Sequence, residues 1–178
     1  MVRDAVTLYL TGPSGVGKTE VARVLAERHG YAVVSLGDQC REAAQRWGLP
    51  TDRAMLQWMG DVLRRDTDAR LARDAYRAAL CLDGPVVVEG VRLRAEGEYL
   101  AAQGVVGVRV EAPEAARSAR LLVRDGSAQV PPHRTENEVP PYAQVIHNDG
   151  DRDALVRAVR RMVDRAALEY AAARHGRW

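Results

Sequence analysis

The chain has 178 residues, of which 47% are hydrophobic and 28% charged, and its formal net charge is +2. That length suits a single domain with a sizeable core, and so small a charge gives no reason to expect a nucleic-acid partner. With only 5% aromatic residues and no phenylalanine, a stacking platform for single strands is not expected either. No apolar run approaches the roughly eighteen residues of a membrane span, and no basic, apolar leader opens the chain. A cytoplasmic protein with no membrane association is therefore expected. Cys40 and Cys81 show no metal-binding spacing and are expected as free, buried thiols.

In chain order, apolar and β-branched runs alternate with helical patterns. Strands are predicted over Ala5 to Leu10, Tyr31 to Ser35, Pro85 to Val88, Val105 to Val110 and Ala143 to His147, an alternation that implies a parallel sheet covered on both faces. The first helix is predicted from about Gly17 to Arg28, with Val21, Val24 and Leu25 inward and His29-Gly30 as the stop. About fifty residues separate the second and third strands, more than a crossover requires. Within them Met55, Leu56, Met59, Val62 and Leu63 keep helical spacing, as do Leu71, Ala72, Ala75 and Ala79. Residues 37–82 therefore read as a helical insertion, with Trp47 and Trp58 in its core and Arg64-Arg65 on a solvated face. A further helix, Glu114 to Arg124, leads into a polar, proline-bearing stretch, and residues 125–140 read as a lid loop. The last helix begins near Asp151 or Asp153, with Leu155, Val159, Met162 and Val163 inward.

The only lysine of the chain is Lys18; the remaining basic residues are twenty-five arginines. It lies in Gly12-Pro13-Ser14-Gly15-Val16-Gly17-Lys18-Thr19, between a strand and a helix. This is the pattern G-x-x-x-x-G-K-[ST], in which backbone N–H groups and a helix N-terminus cradle phosphates. A compact ammonium fits inside such a loop where a planar guanidinium fork does not. All eight loop residues are expected to bind nucleotide, with Lys18 on the β- and γ-phosphates and Thr19 on Mg²⁺.

Beyond the loop, several segments resemble those of P-loop nucleoside monophosphate kinases of the adenylate kinase type. Gly37-Asp38-Gln39-Cys40-Arg41 resembles their G-D-x-x-R segment, where the arginine holds the acceptor phosphate. Val86-Val87-Val88-Glu89-Gly90-Val91-Arg92 resembles their strand ending in an acid, followed by a second acceptor arginine. Arg120-Leu121-Leu122-Val123-Arg124 resembles the R-L-x-x-R before their lid. Three more segments are similar to bacteriophage deoxynucleoside monophosphate kinases. They are Glu96-Gly97-Glu98-Tyr99, His133-Arg134-Thr135-Glu136 and Asn148-Asp149-Gly150. Where the phage enzymes carry Asp-x-Arg after the third strand, this chain has a longer acid and one extra residue before Arg92.

The resemblance implies a three-layer α/β fold with a five-stranded parallel sheet, a helical acceptor-binding insertion and a short lid. It implies transfer of the γ-phosphoryl of ATP, with Mg²⁺, to a deoxynucleoside or ribonucleoside monophosphate. Lys18, Glu89, Arg92, Arg120 and Arg124 are then the expected catalytic set, with Glu89 reaching Mg²⁺ through water. Arg120, Asn148 and Asp149 are expected at the nucleotide. Asp38, Arg41, Gln57, Arg92 and Arg134 are expected at the acceptor, Asp38 either there or as a helix cap. His133 is expected as a loop histidine. Because an acceptor phosphate is already an anion, the reaction calls for aligned cations more than for a general base, and arginine forks suit that task. Two rival readings share the loop: a kinase of another small acceptor, similar to dephospho-coenzyme A kinase, and a non-catalytic nucleotide-binding module. The chain is compatible with a monomer or a homodimer.

Overall fold

A computed structural model describes residues 6–126 and 133–175. Five parallel strands form one sheet: β1 (Leu8–Thr11), β2 (Ala32–Ser35), β3 (Val86–Glu89), β4 (Val106–Glu111) and β5 (Gln144–His147), in the order β2-β3-β1-β4-β5. β2 to β5 lie within a residue of their predicted runs, whereas β1 begins at Leu8, after the described but non-strand Val6 and Thr7, later than the predicted start at Ala5. The connecting helices are α1 (Lys18–His29), α2 (Leu36–Arg46), α3 (Arg53–Leu63), α4 (Arg70–Leu80), α5 (Arg94–Ala102), α6 (Glu114–Asp125), the short α7 (Arg134–Asn137) and α8 (Arg152–His175). The predicted lid falls partly on residues 127–132, which lie outside the described ones.

The period-two alternation of the strands sorts the core into two layers. Leu8 and Leu10, with Val87, Val108, Val110 and Ile146, pack with Val21, Val24 and Leu25 of α1 and Leu155, Val159 and Met162 of α8. Tyr9 and Val88 point the other way, into a cluster with Leu36, Cys40, Met59, Leu71 and Leu100 from α2 to α5. Each fully buried aliphatic side chain contributes about 1.5–3 kcal/mol, so both faces must be covered for the sheet to hold. Helix ends follow their local chemistry. Gly30 caps α1 in the left-handed region at φ 68°, and Ser35 caps α2 by accepting from the Asp38 amide at 3.2 Å. Asp151 caps α8, accepting from Ala154 N at 2.7 Å.

Three expectations for the insertion need correction. Trp47 and Trp58 are 58% and 49% exposed rather than core, because the inward positions of α2 and α3 are taken by Cys40, Ala43, Ala44 and Met59. Arg64 is not on a solvated face: it is 7% exposed and paired with fully buried Glu96. Of the two free cysteines, Cys40 is buried as expected and Cys81 is exposed, since it follows the last turn of α4. Among the described residues, no helix is long and apolar enough to cross a membrane.

Candidate active site

The loop between β1 and α1 opens at the C-terminal edge of the sheet, where open α/β folds bind ligands. Its glycines are required by close approach. Gly12 has φ 132°, and a side chain there would meet the Val110 carbonyl at 2.3 Å. Gly17 has φ 94°, and a side chain would meet Asn148 Nδ2 at 2.4 Å. Asn148 braces the loop from beneath, donating from Nδ2 to the Val16 carbonyl at 2.8 Å. Arg117 Nε donates to Ser14 O at 3.1 Å, and Arg120 Nη1 donates to the carbonyls of Gly15 and Val16 at 3.3 Å each.

Lys18 is 7% exposed. Its Nζ donates back to the carbonyls of Gly12 and Pro13 at 2.7 and 2.8 Å. Burial, reinforced by Arg92, pulls this ammonium down to about 7, against the opposing pull of Glu136 and Glu89. At the start of α1 the Thr19 hydroxyl donates to Glu89 Oε1 at 2.5 Å, which places a hydroxyl and a carboxylate together beside the loop.

The loop already holds an anion. Glu136 of α7 accepts from Ser14 N at 3.2 Å and Ser14 Oγ at 2.7 Å. The same carboxylate accepts from Arg92 Nη1 at 2.5 Å and Arg53 Nη2 at 3.4 Å. Burial pushes the Glu136 carboxyl up, but Arg92, the two Ser14 hydrogen bonds and Arg53 outweigh it, so the group lies below its ordinary range. A loop amide, a hydroxyl and two guanidinium groups thus converge on one anionic group, the donor chemistry that also suits a phosphate.

Two cavities meet here. One, of about 510 Å³, runs along the loop past Ser14, Lys18, Glu89, Asp38 and Arg120. The other, of about 450 Å³, runs into the helical insertion between Leu36, Cys40, Leu56, Gln57, Gly60 and Arg64. Thr19, Gly37, Arg41, Gly90, Arg92 and Arg124 line both. The junction is therefore a ring of three arginines around the end of the loop.

Most of the residues anticipated from sequence converge on these cavities, but Arg134, Asn148 and Asp149 line neither of them. Arg134 is drawn onto the acids of the insertion, Asp68 Oδ1 at 2.6 Å and Asp61 Oδ1 at 3.5 Å, and lines neither cavity. Asn148 turns into the underside of the loop, and Asp149 is exposed and lines neither cavity. Asp38 does not cap α2, a place taken by Ser35; its carboxylate pairs with Arg41 instead. His133 caps α7, accepting from Thr135 N at 3.3 Å, and its Nε2 donates to Asp61 Oδ2 at 3.0 Å. Arg53 was not anticipated, Arg64 only as part of a solvated face, and Glu96 and Glu136 only as parts of motifs. In a chain with twenty-five arginines, no local pattern distinguishes Arg53 or Arg64.

Comparison with known proteins agrees with this architecture. Residues 8–139 match the family described as AAA domain. A cytidylate kinase of Methanocella arvoryzae is 32% identical over 132 residues, covering 74% of this chain and 68% of that protein. Among solved structures, a gluconokinase from Sinorhizobium meliloti superposes with a TM-score of 0.57 at 19% identity, covering 96% of this chain and 98% of that one. A shikimate kinase from Acinetobacter baumannii, in complex with shikimate, gives a TM-score of 0.57 at 16% identity, covering 90% and 92%. The chain belongs to the AAA domain family, and its three-layer α/β fold is that of the P-loop kinases.

Proposed function

We propose that this AAA-domain-family chain is a kinase that moves the γ-phosphoryl group of ATP to a nucleoside monophosphate, a deoxynucleotide above all, giving the diphosphate. The observation that carries the reading is the junction of the two cavities: a glycine-rich loop on one side, a pocket in the helical insertion on the other, and Arg41, Arg92 and Arg124 between them. The similarity to a cytidylate kinase supports the same acceptor class.

In this reading the donor triphosphate lies along residues 12–19, and Glu136 leaves the loop face as the phosphates arrive. Lys18 leaves the Gly12 and Pro13 carbonyls and turns to the β- and γ-phosphates, its charge restored by theirs. Arg92 and Arg41 hold the acceptor phosphate with Asp38 orienting Arg41, and Gln57 lies along the acceptor's body. An acceptor phosphate oxygen attacks the γ-phosphorus in line, and the bond to the β,γ-bridging oxygen breaks, leaving ADP. Arg124 and Arg92 carry the charge spread over the transferring group, while Arg120 keeps the loop in shape. Among the described residues no cluster of three or more metal-ligating side chains exists, so a magnesium ion would rest on Thr19, on Glu89 through water, and on phosphate oxygens, as this cation commonly does. It would supply neutralisation of the phosphate charge. Residues 37–82 serve as the acceptor lobe, and residues 125–140 as the lid that excludes water.

The test is ADP release over the eight common ribo- and deoxyribonucleoside monophosphates, with dephospho-coenzyme A as a further acceptor. Turnover with at least one nucleoside monophosphate, abolished by Lys18→Ala, is expected. Turnover with dephospho-coenzyme A alone, or ATP binding with no acceptor at all, would overturn the proposal.

A further inference from the structure

The insertion-side cavity has two chemically different parts. Its mouth, shared with the loop cavity, carries the arginines suited to phosphate. Among the residues that line it and not the loop cavity, Arg64 stands beside Cys40 and Gly60; Leu36 and Leu56 add apolar surface, and Gln57 and two threonines add polar groups. A cation as buried as Arg64 is costly unless it is paired, and a buried pair is rarely more stable than two apolar side chains of like volume. Stability therefore does not explain why an arginine stands here.

The way Arg64 is held indicates what it does. Its Nε and Nη2 both donate to Glu96 Oε1, at 2.9 and 2.8 Å. The other oxygen of Glu96 accepts from the Arg92 and Leu93 amides at 2.9 and 3.0 Å. One fully buried carboxylate thus fixes the Arg64 guanidinium and the backbone of the arginine at the mouth. Nη1 is left with no hydrogen bond among the described residues, and it lies over Gly60, where an added methyl would stand 2.7 Å away. Gly60 is what leaves room for that nitrogen beside the cavity.

Building on the nucleoside monophosphate reading, we propose that Arg64 reads the acceptor's base: Nη1 donates to an exocyclic carbonyl oxygen, so that cytosine, uracil, thymine or guanine is selected over adenine. A guanidinium only donates. Adenine carries no exocyclic carbonyl: where the other bases present that oxygen it presents an amino group or a C–H, and only its ring nitrogens are left to accept. A site built to hydrogen-bond a substrate group rejects an analogue lacking it far more strongly than an apolar pocket does.

The experiment measures kcat and KM for CMP, UMP, dTMP, GMP and AMP with the wild type, Arg64→Lys and Gly60→Ala. Lysine keeps the charge opposite Glu96 but not the fork. Alanine at 60 is a better helix former than glycine, so that variant keeps its fold while crowding Nη1. The wild type is expected to use AMP at least ~10²-fold less efficiently than its best acceptor, by the hydrogen-bond discrimination above. Both variants are expected to raise the KM of the carbonyl-bearing acceptors about tenfold or more while leaving the KM values of ATP and AMP within about twofold, one lost charge-assisted hydrogen bond being the difference. A purely structural role would lower melting temperature without changing the ratio between bases. The proposal is overturned if AMP matches the best acceptor, or if the variants shift all acceptors by one factor. A wild type that phosphorylates no nucleoside monophosphate overturns the function proposed above and this role with it, a result distinct from turnover without base selection.

Discussion

The two ends of the site are built in opposite ways. The phosphate end is eight consecutive residues whose geometry comes from local glycine conformations and a helix N-terminus, with Asn148, Arg117 and Arg120 as outside braces. The acceptor end is assembled from side chains on α2, α3, the turn after α3 and the turn after β3, and its central ion pair joins residues 32 positions apart. The loop reaches its shape on short-range terms, while the pocket exists only once the helices have packed. Chemistry at the loop consequently depends less on long-range packing than chemistry at the pocket does.

Four changes would break or sharpen that contrast, taken from the largest effect. Lys18→Ala removes one ammonium from a preformed loop. It is expected to lower kcat by on the order of 10³-fold, as for other preorganised electrostatic groups, with a circular dichroism spectrum unchanged. Loss of fold instead would erase the distinction between the two ends. Glu96→Ala leaves Arg64 buried without its counter-charge and frees two amides of the turn before α5. A destabilisation of about 3 kcal/mol or more is expected from breaking a buried pair, read as a lower denaturant midpoint together with weaker acceptor binding. A variant as stable as the parent would show that the pocket does not depend on this pair.

Glu136→Gln tests the carboxylate that lies on the loop. Removing its charge weakens its hold on Arg92 and Ser14, so nucleotide competes against less. ATP is expected to bind about tenfold tighter, roughly the worth of one charge-assisted hydrogen bond, by titration calorimetry. Weaker binding would mean that Glu136 organises the loop instead of filling it.

The smallest effect is protonic. Lys18 in the ligand-free loop titrates at about 7, whereas an unfolded lysine titrates near 10.4. Between those values the unfolded chain holds the proton and the folded chain does not, so this residue makes stability rise with pH across that window and contributes no further change above it. Phosphates restore the charge, so nucleotide binding at pH 8.5 is expected to take up close to one proton per site, fading below pH 6. Calorimetry in two buffers of different ionisation enthalpy measures it directly. No uptake would place a charged lysine in the empty loop.

Legibility followed the same divide. The five strands, the first and last helices and the loop could be placed from apolar period and glycine spacing alone. So could the inward residues Leu71, Ala72, Ala75 and Ala79 of α4, whose stripe is regular. The tryptophans misled because size suggests burial, while α2 and α3 turn their small faces inward. Arg64 misled because its neighbour Arg65 is exposed and the pair reads as a charged face. Arg134 lay in a suggestive motif, yet Asp61 and Asp68 claim it.

Sequence by itself determined the layers of this protein, the position of its sheet and the loop with its one lysine, since all of these follow from patterns a few residues long. Only tertiary structure decided that Arg53 and Arg64, among twenty-five arginines, line the insertion-side cavity, and that Glu136 meets Ser14 across 122 positions of chain. The physical reason is range. Backbone conformation and apolar period act over a turn or a strand, whereas a guanidinium's role depends on which carboxylate the finished fold brings within about 3 Å of it.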